Sequence, residues 1–202
     1  PPDRAWAVER IYSQGYSQRL AISIVDGTAI AVSDGSLKDE WGTAAYHIED
    51  PRQWEQAAIY GALQVPGTPI ESTSHRSELG GLYGIVTVVE ALVKHHKITS
   101  GSIEVGCDGQ SALRAFDLEY YFDPRQADFD FLSSIQNVVR DSPIKWKPRH
   151  ILGHQDRHNP MSIDHWASLN IKMDQIPDGK GFLERSQLGP GKTHGPVPGD
   201  PF

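Results

Sequence analysis

The stretch TAIAVSDGS, residues 28–36, decides the fold of this chain. It is a β-rich run that ends in an aspartate followed by glycine and serine. The preceding run, residues 20–25, is joined to it by Asp26-Gly27, a dipeptide typical of a two-residue hairpin turn. Two further runs follow at 41–49 and 56–65, separated by Asp50-Pro51. We therefore predict an antiparallel meander, with Asp34 where one of its strands ends.

The hydrophobic period lengthens after residue 69 and predicts a long helix from about Ser74 to His95. Three glycines in its early turns would each cost an exposed helix about 1 kcal/mol, so we expect those turns to pack closely on a sheet. The glycines are Gly80, Gly81 and Gly84, and the apolar face carries Leu79, Leu82, Val86, Val89 and Val93.

The second half of the chain alternates strand and helix patterns. We predict a strand at 102–108, helices at 111–122 and 129–142, a strand at 144–152 and a helix at 161–173. Asn159 suits the N-cap of the last helix and Pro160 its first residue. A meander followed by such alternation predicts an α/β sheet flanked by helices.

Length and composition limit the possible classes of protein. The 202 residues suffice for one domain with a core that needs no disulfide, and there is a single cysteine. We divide the chain into residues 1–20, a short helix or linker, a domain at 21–176, and a flexible Gly/Pro-rich tail at 177–202. No apolar run approaches the roughly 20 residues of a membrane span, so we expect a soluble protein without membrane contact. A start at Pro-Pro suggests a piece of a longer polypeptide.

Four acidic residues stand where predicted elements begin or end: Asp34, Glu78, Asp108 and Asp164. Each has a structural explanation when taken alone, such as an Asp-Gly turn or a favourable charge near a helix start. Four carboxylates that converge would repel one another unless cations held them, and oxygen ligands without thiolates favour Mg²⁺ or Mn²⁺. Such a cluster would also reconcile the net charge of −7, which argues against a broad basic surface, with a nucleic-acid substrate.

The order of these acids resembles a ribonuclease H type I domain. The motifs are Asp34-Gly35-Ser36, Arg76-Ser77-Glu78-Leu79, Asp108-Gly109-Gln110, and Gly153-His154 with Asp164 ten residues later. The resemblance spans about residues 28–174 and implies a five-stranded mixed sheet flanked by helices. It also implies an endoribonuclease that cleaves the RNA strand of RNA/DNA hybrids with two Mg²⁺ ions, for which Mn²⁺ could substitute.

The resemblance assigns roles to individual residues. Asp34, Glu78, Asp108 and Asp164 would hold the two ions, and His154 would be the loop histidine that assists proton transfer and product release. Residues beside the carboxylates are candidates for contacts with the hybrid: Ser36, Ser74, His75 and Gln110. For Ser74 a helix cap is the simpler role.

The sequence around His154 and at 166–174 is similar to the corresponding sequences in ribonuclease H domains of eukaryotic retroelements. In those elements the domain follows a reverse transcriptase. This resemblance implies an upstream polymerase partner and an intracellular location, and we expect a monomer in isolation. Only 46 residues separate Asp108 from His154, which leaves little room for an extra basic helix. Affinity for the hybrid would then come from a neighbouring domain, or from Lys145, Lys147 and Arg149, which alternate onto one strand face and could equally form a solvated edge.

Three other readings stay open. His150, His154 and His158 recur every four residues and suggest zinc, but no CxxC or HExxH is present, and His150 and His158 are more simply loop or edge residues. An integrase-like or resolvase-like DNA nuclease would use the same fold. A catalytically silent tether module would also do so, although such modules lose the carboxylates that this chain retains.

Overall fold

The computed structural model describes residues 2–38, 40–53, 56–153 and 164–175. Within them the chain forms one six-stranded mixed sheet with the strand order β1-β4-β3-β2-β5-β6. The strands are β1 Arg10–Gly15, β2 Ala29–Lys38, β3 Trp41–Glu49, β4 Ala57–Gln64, β5 Ser102–Cys107 and β6 Lys145–His150. The α-helices are α1 Ser17–Asp26, α2 Ser74–His95, α3 Phe129–Asp141 and α4 His165–Gln175. Two 3₁₀ helices span Pro2–Val8 and Ala112–Phe116.

The predicted α/β architecture and the meander of β2, β3 and β4 are confirmed. β2 pairs antiparallel with β3 and β3 with β4, whereas β5 lies parallel to β2 and β6 parallel to β5. Asp34 is not in a turn, because β2 continues to Lys38 and Asp34 pairs with Ala45. β6 is the edge strand, which is where the sheet tolerates Pro148, a residue without an N–H to donate.

The first 26 residues differ from the prediction. Residues 20–25 were predicted as a strand, but they lie in α1, which buries Leu20 and Ile24 at i, i+4 spacing. Asp26-Gly27 is not a hairpin turn: Gly27, at φ 72°, ends the helix, its N–H donates to Ile24 O, and the next N–H donates to Ser23 O. This is the Schellman arrangement, in which glycine takes the left-handed conformation at low cost.

The N-terminal segment adds the sixth strand to the five that were predicted. β1 pairs antiparallel with β4, and the 3₁₀ helix before it packs on the α2 side of the sheet. Trp6 stacks on Tyr83 with ring centroids 5.3 Å apart, and the hydroxyl of Tyr46 donates to Ala7 O at 3.1 Å. Residues 2–15 are therefore part of the folded unit, while the division of the chain at residues 20 and 176 stays a prediction.

Helix α2 has the predicted bounds and crosses one face of the sheet. The cap is Thr73, whose side chain accepts from the Arg76 N–H at 2.9 Å, so Ser74 does not have the capping role. A Cβ added at Gly84 would lie 2.5 Å from the Tyr46 ring, and one at Gly81 would lie 2.8 Å from Ser33 Cβ. The helical glycines therefore permit the close packing that the sequence predicted.

Helix α4 covers the opposite face. Leu169 and Met173 pack on Ile30, Val32 and Ala45 in a second, smaller core. In the described residues the helix begins at His165, and the predicted caps at 159 and 160 lie outside them. The predicted helix at 111–122 is only a 3₁₀ turn at Ala112–Phe116, and residues 177–202 also lie outside the described part. No described helix is long and apolar enough to span a membrane.

Candidate active site

Two acids lie just beyond the point where the parallel pairing of β2 with β5 ends. Val32 and Gly106 form the last pair between these strands, and Asp34 and Asp108 each follow that pair by two residues. Because paired parallel strands advance in step, the two acids lie side by side. Asp34 is only 7% exposed, whereas Asp108 is half-buried.

Helix α2 brings Glu78 to this pair through two glycine contacts. A Cβ on Gly35 would collide with the main chain of Ser77 and Glu78, so β2 and α2 approach here more closely than any other residue at position 35 allows. A Cβ on Gly109 would collide with the Glu78 carboxylate, and one on Gly153 with the Asp108 carboxylate. The missing side chains therefore make the space that the carboxylates occupy.

The electrostatics also indicate that these three acids lie near one another. Burial raises the pKa of Glu78, the charge of Asp108 raises it further, and His75 opposes both. Burial also raises the pKa of the Cys107 thiol, with smaller contributions from Glu78, Asp108 and Asp34. Since all three carboxylates act on one buried thiol, they share one region at the end of β2 and β5.

Asp164 reaches this end of the sheet from α4. It lines a pocket of about 190 Å³ together with Arg149, His150 and Trp166, and His150 Nε2 lies 3.1 Å from Asp108 O. The sequence placed Asp164 beyond the first helical turn, but its Oδ1 accepts from the Ala167 N–H at 2.8 Å. Asp164 therefore caps α4, so a structural explanation also applies to this residue.

The other predicted residues have mixed surroundings. Ser36 is half-buried at the end of β2, and Ser74 and Gln110 are exposed beside the acids. The His75 ring is already engaged, because its Nδ1 lies 3.0 Å from Asp128 Oδ2. His154 and His158 lie outside the described residues.

Solved structures share this architecture. LC11 ribonuclease H1 in complex with an RNA/DNA hybrid is 12% identical over 75% of this chain and 97% of that chain, with a TM-score of 0.52. The same enzyme, isolated from compost by a metagenomic approach, matches in a second structure at 13% identity, 76% and 97% coverage, and a TM-score of 0.51. The fold is that of ribonuclease H. No protein-family model and no curated protein match the sequence.

The ion pairs of two arginines near the candidate site were not expected from the sequence. Arg149, proposed as a phosphate contact, is held by Glu104 at 3.1 Å and lies 4.8 Å over the Trp166 ring. Arg76 of the motif before Glu78 binds Asp128 and Asp130 at 3.0 and 2.8 Å and stacks on Phe131. The arginine therefore fastens the start of α2 to α3, and with it the turn that carries Glu78.

The side chains fit a divalent cation by chemistry. Asp34, Glu78 and Asp108 offer only oxygen donors, as Mg²⁺ and Mn²⁺ prefer, and a cation would relieve the repulsion that raises the pKa of Glu78. Among the described residues, however, no three side chains of His, Cys, Asp or Glu are arranged as ligands around one point.

Proposed function

We propose that this chain is an endoribonuclease that hydrolyses the RNA strand of RNA/DNA hybrids with two divalent metal ions. The observation that carries the proposal is the cluster of Asp34, Glu78 and Asp108, which the ribonuclease H fold gathers at one end of the sheet. Neighbouring carboxylates disfavour one another's ionisation, as the charge of Asp108 does for Glu78, and a bound divalent cation would offset that repulsion.

In this proposal Asp34, Glu78, Asp108 and Asp164 hold the ions. When bound, divalent ions activate a water molecule and stabilise the leaving oxygen of a phosphodiester. The main-chain contact at Gly35 keeps Glu78 beside the strand acids, and the cap at Asp164 fixes the start of α4. His154, which precedes Asp164 by ten residues, would assist proton transfer.

The substrate assignment rests on chemistry as well as on fold. LC11 ribonuclease H1 was solved in complex with an RNA/DNA hybrid, and we propose the same substrate class here. Ser36 and Gln110 lie next to Asp34 and Asp108 in the chain, where a hydroxyl and an amide could meet the 2′-hydroxyls of the RNA strand. Ser74 and His75 at the start of α2 are the further candidates, although His75 would have to leave Asp128.

We further propose that the chain belongs to a retroelement polyprotein and works beside a reverse transcriptase domain. The sequence similarity around His154 and Trp166 to ribonuclease H domains of retroelements supports this proposal. This domain is acidic, and its Arg149 is already bound to Glu104. A polymerase neighbour would therefore supply affinity for the hybrid that the domain itself lacks.

The test is cleavage of a labelled RNA/DNA hybrid in Mg²⁺ or Mn²⁺, beside an RNA duplex and a DNA duplex. We expect RNA-strand cleavage confined to the hybrid, and its loss in Asp108→Asn with folding intact or slightly improved, because the repulsion with Glu78 is relieved. Asp141→Asn, at the exposed end of α3, is the matched control and should cleave normally. Cleavage by Asp108→Asn would refute the assignment, and preference for duplex DNA would indicate an integrase-like enzyme. No cleavage of any substrate by the wild type would indicate a tether module, or a domain that needs its polymerase neighbour for affinity; addition of that neighbour separates the two.

A further inference from the structure

A buried carboxylate joins strand β3 to the first residue of α4. Glu49 is only 2% exposed, and its two oxygens face two histidines. Oε2 lies 2.7 Å from His47 Nε2, and Oε1 lies 2.5 Å from His165 Nε2. A carboxylate can only accept, so each imidazole donates from Nε2 and the three side chains form one bridge. His165 directly follows Asp164 in the chain.

The bridge is at the first turn of α4, which also buries Ala167. Among the described residues, the contacts of this helix with the smaller core are made mainly by Leu169 and Met173, one and two turns further along. In the first turn, Trp166 packs on Gly106 and under the Arg149 guanidinium. Among the described residues, two side chains next to Asp164 therefore fix its position relative to the sheet. Trp166 contacts β5 and β6, and His165 binds Glu49 of β3.

We infer that Glu49 is a positioning residue for Asp164: by holding His165, it sets where the Asp164 carboxylate meets the acids of β2 and β5. The inference rests on the proposed function in one respect only, that Asp164 is a metal ligand. Glu49 itself touches neither the substrate nor the metal in this assignment.

The electrostatics of Glu49 favour a rigid bridge. Burial alone would raise the pKa of Glu49, but the hydrogen bonds and charges of His47 and His165 outweigh burial and lower it. The carboxylate is therefore ionised at neutral pH, and hydrogen bonds to an ionised acceptor are shorter and roughly twice as strong as those between neutral groups. Loss of either partner would leave a buried charge with less compensation, which opposes any movement of the first turn.

Glu49→Gln is the direct perturbation, because glutamine has nearly the same size but no charge and only one acceptor oxygen. Its amide NH₂ would face one of the two imidazoles, which would have to change tautomer in order to accept, and neither hydrogen bond would keep an ionised acceptor. Partners that orient metal ligands typically contribute about 10- to 100-fold in metal affinity or activity. We therefore expect the half-saturating Mg²⁺ concentration for cleavage to rise at least about tenfold, with little change in KM for the hybrid.

Glu90→Gln is the matched control. Glu90 also accepts from two cationic groups, Arg4 at 2.5 Å and Lys94 at 2.7 Å, but it lies on α2, on the other face of the sheet from α4. Its loss should leave the Mg²⁺ dependence unchanged and should cost less stability than that of Glu49, because Glu90 is more exposed. A shift of equal size in both variants would show a general effect of stability and overturn the inference.

A second variant and two readouts independent of cleavage keep the inference testable. His165→Gln removes the bridge from its half-exposed end, with less risk to folding, and should give the same Mg²⁺ shift. The double variant should shift the Mg²⁺ dependence no further than either single variant, since both substitutions break the same bridge. Hydrogen exchange of residues 164–175 should be faster in both variants and unchanged in Glu90→Gln, and Mn²⁺ binding, followed by paramagnetic resonance, should weaken in parallel.

The outcomes separate this inference from the proposed function. If the wild type cleaves no hybrid, even with its proposed polymerase neighbour, the function fails, but the exchange of residues 164–175 still decides whether Glu49 holds the start of α4. If the wild type cleaves and Glu49→Gln keeps both its exchange and its Mg²⁺ dependence, the inference fails and the function stands. Faster exchange with unchanged Mg²⁺ and Mn²⁺ dependence would reduce Glu49 to a structural residue and also overturn it.

Discussion

Gly35→Ala is the substitution that best tests how the fold positions the candidate site. The new Cβ would collide with the main chain of Ser77 and Glu78, which cannot rotate away as a side chain could. Overpacking costs about 1–3 kcal/mol, and a contact between two main chains belongs at the upper end of that range. Replacing glycine returns roughly 0.4–1 kcal/mol by restricting the unfolded chain. The net loss is therefore about 2 kcal/mol.

The assay combines thermal unfolding with cleavage. In a domain of this size, a loss of about 2 kcal/mol corresponds to a fall in Tm of roughly 4–8 °C. Because relief of the collision moves the start of α2 away from β2, Glu78 should move with it, and a displacement of 1 Å can cost about 100-fold in rate. We expect Gly35→Ala to lose both stability and hybrid cleavage at temperatures where it is fully folded.

Gly80→Ala is the control on the same helix. Its new Cβ would lie 2.6 Å from a Val65 methyl, the far end of a side chain that can adjust, and alanine improves helix propensity by about 1 kcal/mol. This variant should stay within about 1 kcal/mol of the wild type and keep its cleavage rate. An unchanged Tm in Gly35→Ala would refute the close approach of β2 and α2. A lower Tm with a normal rate would show that this contact does not position Glu78.

Three further predictions concern stability and accessibility. Burial raises the pKa of Cys107, so iodoacetamide at pH 8 should not alkylate the native protein, and prompt labelling would contradict the packing around β5. Hydrogen bonds from Arg52 lower the pKa of buried Asp50, so this contribution to stability is present above the unfolded pKa of about 4 and is lost as the pH falls through the folded value. The Tm difference between the wild type and Arg52→Ala should therefore shrink below about pH 4, and a constant difference would refute the pairing. Trp6→Ala should lower stability in urea by about 2 kcal/mol, less than the full cost of a buried aromatic because Trp6 is half-buried, and no loss would show that residues 2–8 do not dock.

The sequence correctly predicted those helices and strands whose hydrophobic residues repeat with an unambiguous period. Helix α2 carries apolar residues at helical spacing from Leu79 to Val93, about four turns, and its predicted bounds agree with the structure. The cluster of Asp34, Glu78 and Asp108 was also predictable, because short motifs mark each acid and the parallel pairing of β2 and β5 brings two of them together. The metal-binding and catalytic roles of all three acids, and those of Asp164 and His154, stay predictions.

Elements decided by tertiary contacts were predicted wrongly or missed. The hydrophobic run at 20–25 is too short for its period to distinguish a helix from a strand. In the structure it is helical, because this conformation buries Leu20 and Ile24 together and Gly27 ends the helix in the left-handed conformation. β1 has an exposed sequence and becomes a strand only by pairing with β4. The bridge between Glu49 and His165 joins residues 116 positions apart, and no local signal in the sequence indicates it.

The proline in β6 has a consequence for self-association. An edge strand offers unpaired main-chain groups to any other strand, including the same edge of a second copy. Pro148 withdraws one donor from that edge, and the exposed Lys145 and Lys147 would bring like charges together if two such edges met. Chains that accumulate at high concentration should therefore not extend their sheets through β6. The same edge ends at His150, beside Asp108 and Asp164, so in the proposed function a hybrid would meet a strand edge that does not pair with a second copy.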